Sequence, residues 1–184
     1  LTNNKQRLGP SYKIQSGAKI YLKDIMIVLD LDETLLHTIH KSQYHSKLDT
    51  TNIHFKVMDD DKDDDDPYIV FVRPHLYEFL DYIFKHFKVC IWTAASKDYA
   101  LWIIKNILNK TSTGTIVHRK LTLFLSSEHC DISYEIKDGH KVLSLWKDEF
   151  KLDVLAPETF SDDNVYILFD DSYDAYISNK KEKQ

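Results

Sequence analysis

Three short apolar runs stand out along the chain, each of them bounded by polar residues. They cover residues 25–29, 89–92 and 165–169. An uninterrupted apolar run of this length is typical of a strand that is buried on both faces of a parallel sheet. Residues 68–72 are rich in β-branched and aromatic side chains and are predicted to form a further strand.

Between these strands, apolar residues recur at helical spacing. Leu76, Phe79, Leu80 and Ile83 would share one face of a helix over residues 75–85. Ser96 is placed to cap a second helix, which we predict over residues 97–108. Alternating strands and helices favour the α/β class, with a doubly wound parallel sheet and right-handed crossovers.

Weaker patterns complete the expected organisation. We predict a turn or short helix over 33–40, a short strand over 53–57, strand and turn over 115–125, and a short apolar element over 142–146. We expect a flexible N-terminal lead-in at 1–19, one domain over 20–178 and a C-terminal tail at 179–184. The length of 184 residues suits a single domain with a sizeable core.

Most of the negative charge is confined to one segment. The formal net charge is -5, but residues 59–66 hold seven aspartates and one lysine, so the rest of the chain is nearly neutral. We predict that this acidic run is a solvated loop, because like charges repel one another. With no broad basic face, no direct nucleic-acid binding is expected.

Cysteines and hydropathy bear on the cellular setting. Cys90 and Cys130 show no paired spacing, which favours buried free thiols and a reducing intracellular compartment, with nucleus or cytoplasm left open. No apolar stretch reaches the roughly 18 residues needed to span a bilayer, so we expect no membrane association. A monomer is the default expectation for the oligomeric state.

The polar residues at the strand ends suggest the chemistry. Asp30 and Asp32 follow the first apolar run, Thr93 follows the second, and Asp170 with Asp171 follow the third. In open α/β sheets, ligands bind beyond the carboxyl ends of the strands. Each acid pair alone could instead cap a helix or open a loop. Together, the hard oxygen ligands favour Mg²⁺ over zinc and fit phosphoryl transfer.

These residues also carry a family resemblance. The stretch from Asp30 to Thr34 resembles the DxDxT motif of the haloacid dehalogenase superfamily. More narrowly, the chain resembles the phosphatases that act on the carboxy-terminal domain of RNA polymerase II, including their small, NLI-interacting-factor-like members. Further matches lie at residues 72–74, 78–80, 91–96, 99–100, 128–130, 141–144 and 167–172. The resemblance implies a Rossmannoid α/β fold with a central parallel sheet flanked by helices and no large cap domain.

The resemblance also implies a role for each site residue. Asp30 matches the nucleophile that becomes an aspartyl-phosphate, and Asp32 matches the general acid and base. Thr34 orders the motif loop, and Thr93 matches the hydroxyl that binds a phosphate oxygen. Lys141 matches the lysine that neutralises phosphate and nucleophile. Asp171 completes a magnesium site with the Asp30 side chain and the Asp32 carbonyl, while Asp170 orients its neighbours. Considered alone, Lys141 could be a surface lysine and Thr93 a strand-end cap.

Taken together, the sequence predicts a magnesium-dependent protein serine/threonine phosphatase whose substrate is a phosphoprotein or phosphopeptide. Peptides like the RNA polymerase II carboxy-terminal repeats are candidates by resemblance. Two alternatives stay open: a phosphatase of small molecules or nucleic-acid ends, and a catalytically silent phosphopeptide-binding scaffold.

Overall fold

The computed structural model describes residues 25–43, 55–58 and 68–181. A four-stranded parallel sheet lies at the centre of the described part. Its strands are β1 (Ile25–Leu29), β5 (Lys88–Trp92), β6 (Leu123–Leu125) and β7 (Val165–Phe169), in the order β6-β5-β1-β7. All three pairings are parallel, so every strand ends at the same edge of the sheet. The predicted α/β class and the three predicted strands are confirmed, but β7 lies at the edge of the sheet, where Ile167 and Phe169 are 38% and 42% exposed rather than buried.

Alternation along β1 divides the core into two layers. Ile27 and Leu29 pack on one face with helix α1 (Leu76–His86) and helix α2 (Lys97–Ile103). Met26 and Val28 point to the other face, where Trp92 and Trp146 pack. Because successive strand side chains point to opposite faces, one apolar run supplies both layers.

The predicted helices are confirmed, with one change of geometry. Ser96 caps α2 by accepting a hydrogen bond from the Tyr99 N–H. After Ile103 the helix continues as a π-helical turn over Ile104–Leu108. Ile103 and Ile107 are fully buried, as the helical spacing requires.

A second, antiparallel sheet follows β1 in the chain. It consists of β2 (Leu36–His40), β3 (Phe55–Met58) and β4 (Tyr68–Val72), in the order β2-β4-β3. The prediction of a turn or short helix over 33–40 was wrong for its second half, because Leu36–His40 pairs with β4 over five residues. In the described part of the chain, this sheet is the largest structure between β1 and α1, and no large cap domain is present there.

Three helices on the C-terminal side complete the second layer. They are α3 (Ser127–Lys137), α4 (Leu145–Asp148) and α5 (Leu152–Leu155). The apolar segment predicted at 142–146 is buried, and its end forms the start of α4. The sequence analysis did not predict α3, whose inward-facing residues Cys130 and Ser133 are too polar to stand out as an apolar stripe.

The C-terminal region requires a correction. Helix α6 covers Tyr173–Lys181, a segment for which no helix was predicted. The predicted domain boundary at residue 178 therefore lies inside this helix. Ala175 anchors α6 and is completely buried, but its single methyl group gives little apolar signal in the sequence.

Several predictions fall partly or wholly outside the described residues: the lead-in at 1–19, the acidic run at 59–66 and the start of the strand at 53–57. Cys90 and Cys130 are free and buried, as predicted. Among the described helices, none is long and apolar enough to cross a membrane.

Candidate active site

The candidate site lies at the carboxyl edge of the parallel sheet. Asp30 follows β1, and its N–H donates to the Phe169 carbonyl at the end of β7. Asp170 and Asp171 follow that neighbouring strand. The parallel pairing of β1 with β7 thus brings together carboxylates that lie some 140 positions apart in the sequence.

Lys141 joins the two strand ends from a loop that precedes α4. Its Nζ donates to Asp30 Oδ1 at 2.5 Å and to Asp170 Oδ2 at 2.6 Å. The lysine is 1% exposed, so its charge is balanced within the site rather than by water. Buried charges of this kind persist only when they are paired and hydrogen-bonded.

Burial and charge act in opposite directions on this group. Burial raises the pKa of Asp30 to about 6, against the opposing attraction of Lys141. Burial alone would lower the pKa of Lys141, but the attraction of Asp30 and Asp170 raises it above its ordinary value. Lys141 therefore stays charged at neutral pH. A further cation that approaches Asp30 would stabilise the ionised form of its carboxyl group.

Three carboxylates could hold that cation. Oxygen atoms of Asp30, Asp170 and Asp171 lie within 4.8 Å of one another. Hard carboxylate oxygens at this spacing suit Mg²⁺, which usually keeps several water ligands. The sequence analysis assigned the side chains of Asp30 and Asp171 to the metal and left Asp170 outside. The structure places Asp170 in the same cluster, where it also pairs with Lys141.

The loop after β1 is held against the end of β7. The Thr34 hydroxyl accepts a hydrogen bond from the Asp171 N–H at 3.1 Å. Glu33 has a left-handed backbone with φ 59°. Arg73 supports this turn by donating to the carbonyl oxygens of Glu33 and Thr34 at 2.6 and 2.8 Å. Thr34 therefore connects the two acidic strand ends.

Asp32 is not a member of the carboxylate cluster and has hydrogen-bond partners of its own. Tyr99, on α2, donates its hydroxyl hydrogen to Asp32 Oδ1 at 2.5 Å. The hydroxyl of Thr38, on β2, lies 2.6 Å from the Tyr99 oxygen. Burial raises the pKa of Asp32, and the hydrogen bond from Tyr99 opposes that rise. A carboxyl group with a raised pKa is suited to donating a proton near neutral pH.

Thr93 directly follows β5, the other neighbour of β1, and is buried. Its Oγ1 accepts a hydrogen bond from the Ala95 N–H at 3.1 Å. That contact leaves the hydroxyl hydrogen available to a phosphate oxygen.

The sequence analysis missed the residues that hold the site together. Tyr99 was noted only as part of the family match at residues 99–100, and no spacing rule connects it with Asp32. The loop around Lys141 also depends on hydrogen bonds to Ser133, Ser178 and Asn179. Short polar side chains of this kind give no periodic signal, because their partners are fixed only by the packing of distant elements.

The chain is similar in sequence to a family of phosphatases and to two viral proteins. Residues 25–183 match the model of a family described as NLI interacting factor-like phosphatase. The CTD phosphatase-like protein 355R of Invertebrate iridescent virus 3 is 38% identical over 144 residues, covering 77% of this chain and 75% of that protein. Protein 355R of Invertebrate iridescent virus 6 is 35% identical over 150 residues, covering 78% of this chain and 75% of that protein.

Solved structures show a more distant similarity. A fission yeast RNA polymerase II CTD phosphatase Fcp1 variant bound to beryllium fluoride has 22% identity and a TM-score of 0.39. A second Fcp1 structure, described as an essential RNA polymerase II CTD phosphatase, has 20% identity and a TM-score of 0.36. Both alignments cover 57% of this chain, which spans 30% of the length of each Fcp1 chain.

Proposed function

Because the chain belongs to the NLI interacting factor-like phosphatase family, we propose that it is a magnesium-dependent protein serine/threonine phosphatase that works through an aspartyl-phosphate. The observation that carries the proposal is the buried ion pair of Lys141 with Asp30 and Asp170. A buried lysine held between two carboxylates is expensive to maintain for stability alone, and it supports a site built for a phosphate group.

In the proposed first step, Asp30 attacks the phosphorus of a phosphoserine or phosphothreonine. A bond forms between phosphorus and an Asp30 oxygen, and the bond between phosphorus and the serine or threonine oxygen breaks. Lys141 and the Thr93 hydroxyl interact with phosphate oxygens as charge shifts among them. Asp32 donates its proton to the leaving oxygen.

In the second step, the roles of the acid and base reverse. Asp32, now ionised, removes a proton from water, and the water oxygen attacks phosphorus. The bond between phosphorus and Asp30 breaks, which releases inorganic phosphate and restores the enzyme. The hydrogen bond from Tyr99 supports this assignment because it holds one oxygen of Asp32 in place through both steps.

The cluster of Asp30, Asp170 and Asp171 fits the proposed metal. The Asp32 carbonyl remains a further candidate ligand by family resemblance. When bound there, Mg²⁺ would neutralise charge on the phosphoryl group and on the carboxylates around it.

For the substrate we propose a phosphorylated peptide segment. The viral relatives are named as CTD phosphatase-like, and that name suggests peptides resembling the RNA polymerase II carboxy-terminal repeats. In the described ranges between β1 and α1, the only sheet is the small β2–β4–β3 sheet, which supports an open cleft. The peptide class distinguishes this proposal from a phosphatase of metabolites or nucleic-acid ends.

The experiment measures phosphate release from an aryl phosphate and from phosphoserine heptad peptides, with Mg²⁺ or with chelator. We expect Mg²⁺-dependent release by the wild type and none by Asp30→Asn. Asp163→Asn is the matched control, because Asp163 is exposed in the turn before β7, at the opposite end of that strand from Asp170 and Asp171. Acid-quenched Asp32→Asn should retain phosphate on Asp30, which mass spectrometry would locate.

Other outcomes distinguish the alternatives. Phosphate found on a different residue would contradict the role of Asp30. Rapid turnover of a sugar phosphate or of a nucleic-acid end, with no release from phosphopeptides, would overturn the peptide substrate. Phosphopeptide binding without any turnover would instead indicate a silent scaffold.

A further inference from the structure

Lys141 reaches the site from a backbone that needs support. Its φ is 48°, in the left-handed region that side chains other than glycine rarely adopt. Lys141 lies in the middle of the lysine loop, residues 139–143, which contains no helical or strand hydrogen bonds of its own. Such a conformation persists only where surrounding contacts hold it.

Helix α6 supplies one side of that support. Asn179 Nδ2 donates to the Lys141 carbonyl at 3.0 Å, and Asn179 Oδ1 accepts from the Leu143 N–H at 2.9 Å. Ser178, one residue earlier, accepts from the His140 N–H at 2.9 Å. Two adjacent side chains of one helix therefore bind the backbone on both sides of Lys141.

Helix α3 supplies the other side. The buried Ser133 hydroxyl donates to the Gly139 carbonyl at 2.7 Å and accepts from the Val142 N–H at 3.0 Å. The lysine loop is thus enclosed between two helices. Its position in space depends on α6 as much as on α3.

The Asn179 amide suits this contact because it carries both an acceptor oxygen and two N–H donors. Its second N–H donates to the Ala175 carbonyl one turn earlier in α6, at 2.8 Å. Both amide hydrogens therefore face carbonyl oxygens, and the amide oxygen must face the Leu143 N–H. The orientation of the amide is determined by its three partners.

The fit between loop and helix is also tight. A Cβ added at Gly139 would lie 2.8 Å from Ser178 Oγ and from a Val142 methyl group. The absence of a side chain at residue 139 lets the loop approach α6 closely enough for these hydrogen bonds.

We propose that Asn179 is a positioning residue for Lys141. Through its two hydrogen bonds to the lysine loop, α6 holds the Lys141 ammonium between Asp30 and Asp170. The inference rests on the proposed function for the role of Lys141. The same helix begins just after Asp170 and Asp171, and Ser172 donates its N–H to Asp170 Oδ1. Helix α6 therefore connects the acidic strand end to the lysine loop.

The test compares Asn179→Ala with Asn164→Ala. Asn164 is the matched control, because its side chain also donates to a backbone carbonyl, that of Thr159, but at the start of β7. Gly139→Ala is a second variant, which displaces the loop without removing a hydrogen-bonding group. Each variant is assayed with the aryl phosphate in Mg²⁺. It is measured both as a single substitution and in combination with Lys141→Ala. Thermal unfolding and amide hydrogen exchange are measured on the same proteins.

We expect Asn179→Ala to lower kcat by about tenfold or more, as a small misplacement of a reacting group can. In the Lys141→Ala background the same change should alter kcat by less than about twofold, because the two residues act as one unit. Exchange of the His140 and Leu143 amides should accelerate in Asn179→Ala. Gly139→Ala should also have a lower kcat than the wild type, whereas Asn164→Ala should keep the wild-type kcat.

Two results would overturn the inference. In the first, the wild type is active and Lys141→Ala is not, yet Asn179→Ala keeps wild-type kcat while its Leu143 amide exchanges faster. In the second, the effects of Asn179→Ala and Lys141→Ala on kcat multiply independently, which would assign Asn179 a purely structural role. Both leave the proposed function standing. By contrast, a wild type with no turnover would overturn the proposed function and, with it, the inference.

Discussion

At the scale of single residues, the site contains a conflict between burial and charge. Asp30 is 5% exposed and shares Lys141 with Asp170, so one ammonium group serves two carboxylates. Burial therefore acts strongly on Asp30, although a cation lies beside it. In the proposed function, the ionised Asp30 carboxylate is destabilised by burial when no metal is bound. The same carboxylate therefore binds Mg²⁺ strongly.

That conflict predicts how pH affects stability. The pKa of Asp30 is about 6 in the folded protein against an ordinary value of 3.8. A raised folded pKa contributes stability that is complete below pH 3.8 and is lost as pH rises through 6. The shift corresponds to about 3 kcal/mol at most. In chelator, the stability of Asp30→Asn relative to the wild type should therefore increase as pH rises from 4 to 7.

Thermal or urea unfolding at several pH values measures this difference. Asp163→Asn is again the control and should show no such trend, since its carboxyl group is exposed. An Asp30→Asn protein whose stability relative to wild type does not change with pH would contradict the assigned pKa.

At the scale of elements, the site depends on contacts between pieces that are separate in the chain. Tyr99 on α2 contacts both Asp32 in the loop after β1 and Thr38 on β2. The small antiparallel sheet is thereby coupled to the proposed acid and base. Helix α2 was predicted from its capping serine, Ser96, whereas residues 36–40 were predicted as turn or helix.

We expect Tyr99→Phe to slow turnover by about tenfold, because the hydrogen bond that holds Asp32 in place is lost. Both chemical steps should slow, because Asp32 acts in each of them. The aspartyl-phosphate should therefore persist longer before it is hydrolysed. Rapid-quench measurement of protein-bound phosphate tests this. Tyr82→Phe is the control, since Tyr82 is half exposed on the outer face of α1. Equal kinetics in the two variants would exclude a role for the Tyr99 hydroxyl.

At the scale of the whole molecule, the carboxylate cluster exists only in the folded chain. Asp30 lies near one end of the described residues and Asp171 near the other, and the pairing of β1 with β7 brings them together. A ligand that binds only the folded state raises its stability by mass action. Metal binding should therefore be visible as a shift in unfolding temperature, independent of any turnover.

We expect Mg²⁺ to raise the Tm of the wild type, with a gain of about 2.7 kcal/mol at a hundredfold excess over Kd. Asp171→Asn should lose most of that gain, and Asp163→Asn should keep it. Differential scanning calorimetry in chelator and in Mg²⁺ makes the comparison. The same Tm gain in both variants would show that the metal binds elsewhere.

Much of the fold could be predicted because its signal is local. The apolar runs at β1, β5 and β7, the helical spacing in α1 and the Ser96 cap of α2 depend only on neighbouring residues. The positions of Asp30, Thr93 and Asp170 at strand ends followed from those runs. Helices α3 and α6 escaped prediction because their inward faces are formed by small or polar residues such as Ser133 and Ala175.

The sequence by itself determined the α/β class, the edge of the sheet where polar groups gather, and the family, since each depends on residue order and short-range periodicity. Only the tertiary structure decided that Asp170 joins the carboxylate cluster, that Tyr99 contacts Asp32, and that α6 holds the loop of Lys141. Those contacts join residues far apart in the chain, and hydrogen bonds between short polar side chains form only after packing has brought their elements together.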